Sequence, residues 1–525
     1  MHLISNWKTC ISIQERLQLL QRLYFILGVG TIPITTGKLL LPIVGDHIAY
    51  IFITLGITIY LIESFLYSHK ILPFEKRIYG FLAFMFFWGL ICSIAGVIFY
   101  PSFANIDLNQ MKAFRNLFFN IKAIYPQLED LVFLKGWLFY RAIRNVFAYV
   151  LSAYFISLWI YHLYVYDWKQ GIKDLQHGIM LSAVFLISYS TIEVGFLCGS
   201  YTCKHILAKI NVLIFDVAHA AGWWPPLFWD RLQLRSLFPE PSHLGFFMAF
   251  AIPCLVPRFF SIHHKISFPT VFVYICFTMM VFMSKARTST ILFGIEFFMF
   301  VLWAIWSKNR EKYFTRTVFF VSCTLFAFFI SLGIMTDFKS IDSKVIDLKQ
   351  KISVENYVNQ NVTSITGNQR SNSPRRALTL AKIRVGMEHP LLGTGILMGN
   401  EYIVDKLTSE EKNIGEVHLW LYHMEQKGPV NSGFAYTNYF TYIFMEQGII
   451  GLVLFLLPTL AILYKVFKSR NYLQDSISTA LLVALLGLNI ALFSGEPHIG
   501  LYIIMGVAMS VFFGLDKIEE CSNND

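Results

Sequence analysis

The chain has 525 residues, 55% hydrophobic, 17% aromatic and 14% charged, with a mean hydropathy of +0.54. Soluble domains carry about 25% charged residues, so the composition excludes a soluble globular protein and indicates a polytopic membrane protein. The net charge of +10 sits mostly in short loops between apolar runs. That is the positive-inside pattern and not a nucleic-acid-binding face, so no nucleic-acid partner is expected. Apolar runs of about 20 residues recur from end to end, as spanning helices require. They lack the period-two alternation of a β-barrel.

In chain order the runs predict an all-α protein of about 12 transmembrane helices. The N-terminus lacks a cleavable signal, and Lys8, Arg16 and Arg22 precede the first span and hold that end inside. The first two spans run over 23–42 and 47–67, joined by a Gly45-Asp46 turn. A basic loop with His69, Lys70, Lys76 and Arg77 follows, then a third span over 78–100. Residues 101–140 form an outside segment in which Met111, Phe114, Leu117 and Phe118 recur at helical spacing, as in a helix lying on the membrane.

The fourth and fifth spans cover 143–165 and 177–197, and a second outside loop covers 199–242. Trp223, Trp224 and Trp229 in that loop are residues of the interfacial belt. The sixth to ninth spans cover 243–261, 267–284, 288–307 and 317–335, with Lys308, Arg310, Lys312 and Arg316 as the strongest inside marker. Residues 337–437 form the largest outside loop, between helices 9 and 10, and spans over 439–464, 476–494 and 498–515 finish the chain. Residues 1–336, 337–437 and 438–525 are thus the three parts, with both termini inside. Eight cysteines are scattered without CxxC or Cys/His spacing, so no metal is expected. Cys198 and Cys203 pair only if their loop faces an oxidising compartment, and are otherwise two thiols.

Three groups share the outer face. The first is Arg287, in the Lys285-Ala286-Arg287 hairpin close to the bilayer. An ionisable residue there either snorkels or serves a function. The second is Arg375-Arg376, where Ser373 fits an N-cap and Pro374 the first helical residue of a helix that stops at His389-Pro390. Cations at a helix N-terminus oppose its dipole. A bound anion, a pyrophosphate for instance, would explain them, as would a solvated basic helix end. Arg384 lies two turns beyond Arg376 on nearly the same face. The third group holds possible proton acceptors: Glu240, His243, His418, His423, Glu446, Glu496 and His498. For each of them a boundary carboxylate or histidine in contact with water is the plainer reading. Gly393-Thr394-Gly395 mimics a nucleotide fingerprint without a βαβ unit around it, and reads as a turn after a helix.

Several stretches resemble the O-antigen polymerase (Wzy-type) and O-antigen ligase superfamily of bacterial inner membranes. Met283-Ser284-Lys285-Ala286-Arg287-Thr288 resembles its serine-arginine-threonine hairpin. Arg375 through His389-Pro390-Leu391-Leu392-Gly393-Thr394-Gly395 resembles its arginine, helix and Pro-hydrophobic-Leu-Gly-x-Gly pattern. Asn438 through Glu446-Gln447-Gly448-Ile449-Ile450-Gly451 resembles its re-entry span. The resemblance implies a GT-C-like glycosyltransferase, without metal or other cofactor, whose periplasmic site takes undecaprenyl-diphosphate-linked glycan as donor and acceptor. It implies Arg287, Arg375, Arg376, Arg384 and Asn438 as substrate-binding residues, with a membrane lipid and a chain-length regulator as partners. The ligases carry a histidine before the Asn438 position, where this chain has Thr437, which cannot take a proton at neutral pH. The 238–244 stretch is closer to the polymerases, with Glu240, backed by His243, as the acceptor-activating base. The ligase and a flippase or transporter of lipid-linked glycan are the rival readings.

Overall fold

The computed structural model describes residues 12–35, 48–67, 71–100, 112–215, 225–229, 232–261, 265–339, 372–427 and 433–514. The Gly45-Asp46 turn, Met111, Trp223 and Trp224 lie outside them. The first half comprises α1 (Ile13–Thr31), α2 (Ile48–Leu66), α3 (Pro73–Phe99), α4 (Lys112–Ile124), α5 (Asp130–Ser152), α6 (Tyr154–Tyr164), α7 (Trp168–Leu197) and α8 (Tyr201–Ile214). The second begins with α9 (Pro241–Leu255), α10 (Pro257–Phe260), α11 (Phe268–Met283), α12 (Arg287–Trp306) and α13 (Arg310–Met335). The polar insert supplies α14 (Asn372–Glu388), α15 (Gly399–Lys406), α16 (Ser409–Lys412) and α17 (Gly415–Lys427). The chain ends with α18 (Tyr439–Lys468), α19 (Ser476–Ala491) and α20 (Ile499–Phe513).

Among the described residues eight helices are long and apolar enough to cross a membrane, and α11, α19 and α20 are shorter apolar helices. The protein is therefore an all-helical, multi-pass membrane protein. Several expected boundaries move, and α7 and α13 begin at Trp168 and Arg310, ahead of the expected 177 and 317. The helix expected over 23–42 is α1, so Arg16 and Arg22 lie within it. Ser12 and Glu15 close a capping box at its start. Its Gln14, Gln18 and Gln21 donate to one carboxylate, Glu63, and Gln21 is fully buried. The fourth span begins at Asp130, not near 143, and runs through α5 and α6 to Tyr164. Asp130 in its first turn favours that start. The stretch expected as a loop over 199–242 contains α8, whose first turn Ser200 caps through the Cys203 amide.

The two ends of the bundle differ in chemistry. At one end Trp303 donates to the Leu473 carbonyl, the Lys308 amide donates to Gln474, and Lys465 lies over Phe513. Nearby polar groups pair: half-buried Arg22 with buried Asp174 at 2.8 Å, and His162 with Glu75, both buried, at 2.7 Å. At the other end α9, α12, α18 and α20 all begin. Ser289 on α12 donates to the Pro241 carbonyl at the start of α9, and Gly245 lets the two helices close on each other. The Tyr439 amide at the start of α18 donates to the Leu492 carbonyl just past α19. Small residues admit such close approaches between spans.

One break in a spanning helix ties the insert to this bundle. Gly448 inside α18 has φ 67°, which interrupts the helical ladder. The turn 390–395 fills the gap: Thr394 and Gly395 amides donate to the Met445 and Glu446 carbonyls, and the Ile449 amide donates to the Pro390 carbonyl. Gly393 and Gly395 are also at positive φ, and Gly395 presses on Gly96 of α3. The glycines read in the sequence as a turn after a helix are that turn. In a bilayer each unpaired backbone group would cost several kcal/mol, so the two glycine motifs form one joint. A Cβ at Gly448 would stand 2.0 Å from the Leu391 carbonyl oxygen. Gly448→Ala is therefore expected to lose more than about 2 kcal/mol, read as a lower thermal midpoint and lower yield of purified protein. Gly80→Ala, where a Cβ meets nothing within 4 Å, should stay within about 1 kcal/mol of the parent.

Candidate functional site

Arg287 is the first residue of α12, where the chain leaves the hairpin after α11. The hairpin is tight: Lys285 has φ 46°, and its ammonium lies over the Phe338 ring at 5.6 Å. Burial holds the Lys285 amine below its ordinary range. The Arg287 guanidinium donates to the Asn372 side chain at 3.0 Å. Asn372 is the first residue of α14, so the start of the insert's helix stands against the start of α12. Arg375, one turn on, is near enough that the two cations repel one another. Arg375 and Arg376 are both exposed.

The helix expected to begin at Pro374 with Ser373 as its cap begins instead at Asn372. Pro374 remains in the first turn, where its missing amide hydrogen costs nothing, and the end at Glu388 agrees with the His389-Pro390 stop. Arg384 does not turn toward Arg287. It donates to both carboxylate oxygens of Glu411, at 2.7 and 3.2 Å, and to the Lys406 carbonyl. It thereby clips α14 to the α15–α16 link. Asn438 is mostly buried and caps α18, its side chain accepting from the Thr441 amide at 3.2 Å. Thr437, beside it, is buried with no hydrogen-bond partner for its hydroxyl.

Glu240 occupies the N-cap position of α9, accepts from the Ser242 hydroxyl, and lies 3.5 Å from the His243 ring nitrogen. Both side chains are partly exposed. His243 acts electrostatically on Glu496, and Glu496 and His498 follow α19 at the same end. The His498 ring packs against Phe247 and Phe250 and accepts from the Gly500 amide. Glu446 is buried under the turn 393–397 and accepts from the Leu397 amide at 3.0 Å. His418 and His423 stand on α17 in the insert.

Sequence reasoning passed over several buried polar residues. Lys382 on α14 is 2% exposed, donates to the Ala435 carbonyl, and lies over the Tyr442 ring. Burial pushes its amine down to about 8, with Glu446 opposing the shift. Glu193 on α7 and Arg235 in the segment before α9 are also buried, with their charges 4.0 Å apart. Glu296 on α12 is buried with neither oxygen partnered. A carboxylate inside an apolar run, as at Glu193 and Glu296, was the signal that could have found two of them.

The fold and this end of the bundle define a multi-pass helical membrane protein with a cationic and carboxylate-bearing site where an insert joins the spans. Residues 272–456 match the family model described as O-antigen ligase, so this part of the chain is similar to that family. No curated protein and no solved structure matches the chain.

The Arg384–Glu411 pair makes a separate prediction. The Glu411 hydrogen bond raises Arg384, and Glu411 itself sits below the usual carboxylate range: burial pushes it up, but Arg384 and the Thr408 amide outweigh that. Its contribution is present above pH 4.5, the ordinary value, and lost as pH falls through the lowered one. Arg384→Ala and Glu411→Gln should each cost about 0.5–1 kcal/mol, partial exposure screening the pair. The double variant should cost little more than either alone, as chemical denaturation at pH 7 and pH 4 will read out.

Proposed function

We propose that the protein polymerises undecaprenyl-diphosphate-linked oligosaccharide repeat units into O-antigen or a related surface polysaccharide. The observation that carries this reading is the approach of Arg287 to the start of α14 and to Arg375. Two guanidinium groups held within mutual repulsion form a poor arrangement for an empty surface and a good one for a diphosphate. The N-termini of α12 and α14, meeting there, add their partial positive charge.

In the proposed reaction the terminal-sugar hydroxyl of an incoming lipid-linked unit attacks the anomeric carbon of the growing chain. The bond from that carbon to the diphosphate oxygen breaks, and the leaving diphosphate takes the bonding electron pair. Arg287 and Arg375 offset the charge that builds on it, with Arg376 and Asn438 lining the binding region. Glu240, with His243 beside it, takes the hydroxyl proton. An apolar groove of about 380 Å³ between His389–Thr394 and the outer end of α3 suits hydrocarbon of a lipid carrier. Arg384, engaged by Glu411, drops to a supporting role. In this reading the enzyme is of the GT-C kind, lies in a bacterial inner membrane with both termini cytoplasmic, and faces the periplasm with this end. A chain-length regulator is a proposed partner.

The matched family's description favours a second reading, the ligase that moves finished polymer onto lipid A–core. Thr437 at the position of the ligases' histidine speaks against it. A mutant series decides. Arg287→Ala and Arg375→Ala should abolish long-chain polysaccharide on gels while protein level and single-repeat capped lipopolysaccharide persist. Normal ladders in both variants would remove the anion site. Loss of even the single capped repeat on deletion would establish the ligase instead.

A further inference from the structure

We propose that Glu193 and Arg235 are positioning residues, a buried clasp that fixes the segment 232–240 so that Glu240 and Arg287 face one substrate. The proposal rests on the reading that the end of the bundle carrying those two residues is the reaction site. Glu193 projects from the last turns of α7 and accepts the Ser236 amide at 2.7 Å and the Arg235 amide at 3.5 Å. Its carboxylate thus holds the backbone of the segment as well as facing the Arg235 guanidinium at 4.0 Å.

Arg235 continues the fastening on its other side. It donates to the Pro226 and Leu227 carbonyls at 2.9 and 3.1 Å and stacks over Phe215, with its central carbon 4.4 Å from the ring centre. Asn211 of α8 binds the same Leu227 carbonyl, and Ser190 of α7 donates to the Ser236 hydroxyl. Leu232 and Ser236 both have positive φ, a backbone that non-glycine residues hold only when their surroundings enforce it.

The segment held this way touches the machinery at two points. The Leu234 amide donates to the Met283 carbonyl at 3.0 Å, and the Gln233 side chain donates to the Lys285 carbonyl at 3.3 Å. Both acceptors belong to the hairpin that ends in Arg287. Farther along, the segment delivers Glu240 to the cap of α9, which Ser289 of α12 binds through Pro241. One buried pair therefore governs the spacing between the proposed base and the proposed anion binder. An ion pair this deep does little for net stability against apolar replacements of similar volume, so a geometric role explains it better.

The test separates positioning from stability in full-length protein reconstituted in nanodiscs, with a lipid-diphosphate-linked repeat unit as probe. Glu193→Gln alone strands a buried cation and should lower the thermal midpoint. Glu193→Gln/Arg235→Met removes both charges and should recover the midpoint. It should nevertheless keep a kcat lower by on the order of 100-fold, with donor KM changed by less than about threefold. Amide exchange at 234–238 should speed up in the double variant while α12 stays protected. Recovery of kcat together with the midpoint, or unchanged exchange at 234–238, would overturn the clasp. If the double variant does not fold, Arg235→Lys carries the same two readouts, since it keeps the cation but cannot span both carbonyls. A parent protein inert toward the probe would count against the proposed function, and the exchange result would still decide the clasp.

Discussion

Everything at the proposed reaction end depends on a backbone constraint inside the membrane. A spanning helix that breaks must have its freed carbonyls and amides taken up by protein. In α18 the break at Gly448 is taken up by residues 390–395, three hydrogen bonds deep. That joint anchors one end of α14 beside α3 and α18. Ala377, Leu378, Ala381 and Val385 then pack the helix onto the insert's own core and Met445, and Gly386 lets Phe444 lie flat against it. With one end fixed and one face buried, the other end of α14 is directed at Arg287. The arginine meeting is thus a consequence of how a polar insert is sealed to a broken helix.

Charge elsewhere follows the same economy of burial. Glu63 is satisfied by glutamine amides from α1, Asp174 by Arg22, Tyr164 and Gln170, and Glu75 by His162. Each ties two helices at the end opposite Arg287. Around Arg287 the arrangement includes a like charge, since Arg375 acts on it electrostatically. Like charge held in place by Asn372 and the hairpin geometry is an arrangement that a bound anion relaxes.

Much of this was legible in the sequence. Apolar runs give the helices because a spanning segment has little freedom in composition, and the agreement for α9, α12 and α13 is within a few residues except where α13 starts early at Arg310. Both glycine motifs could be seen, but not that they are one joint, since their partners lie about fifty residues apart and backbone hydrogen bonds leave no trace in residue type. The start of α1 lies earlier than expected because its glutamines pair with Glu63 of α2, and a window of hydropathy counts glutamine as solvent-facing. Arg384 looked equivalent to Arg376 on helical spacing alone. Spacing gives a face, whereas only the fold supplies Glu411 to occupy it.

The proton acceptor is the point where geometry goes furthest beyond pattern. Thr437 stands where the ligases carry their histidine, and its hydroxyl is buried without a partner, so nothing at that position can receive a proton from a substrate. Glu446, nearby in the chain, is buried under the 393–397 turn and bound to a backbone amide, out of reach of a sugar. Glu240 differs on both counts: it is partly exposed, at a helix start, with His243 and the Ser242 hydroxyl against it. Its helix shares a contact with the one that begins at Arg287. A base must reach the hydroxyl it serves, and among these carboxylates Glu240 combines access with a tie to the arginine end.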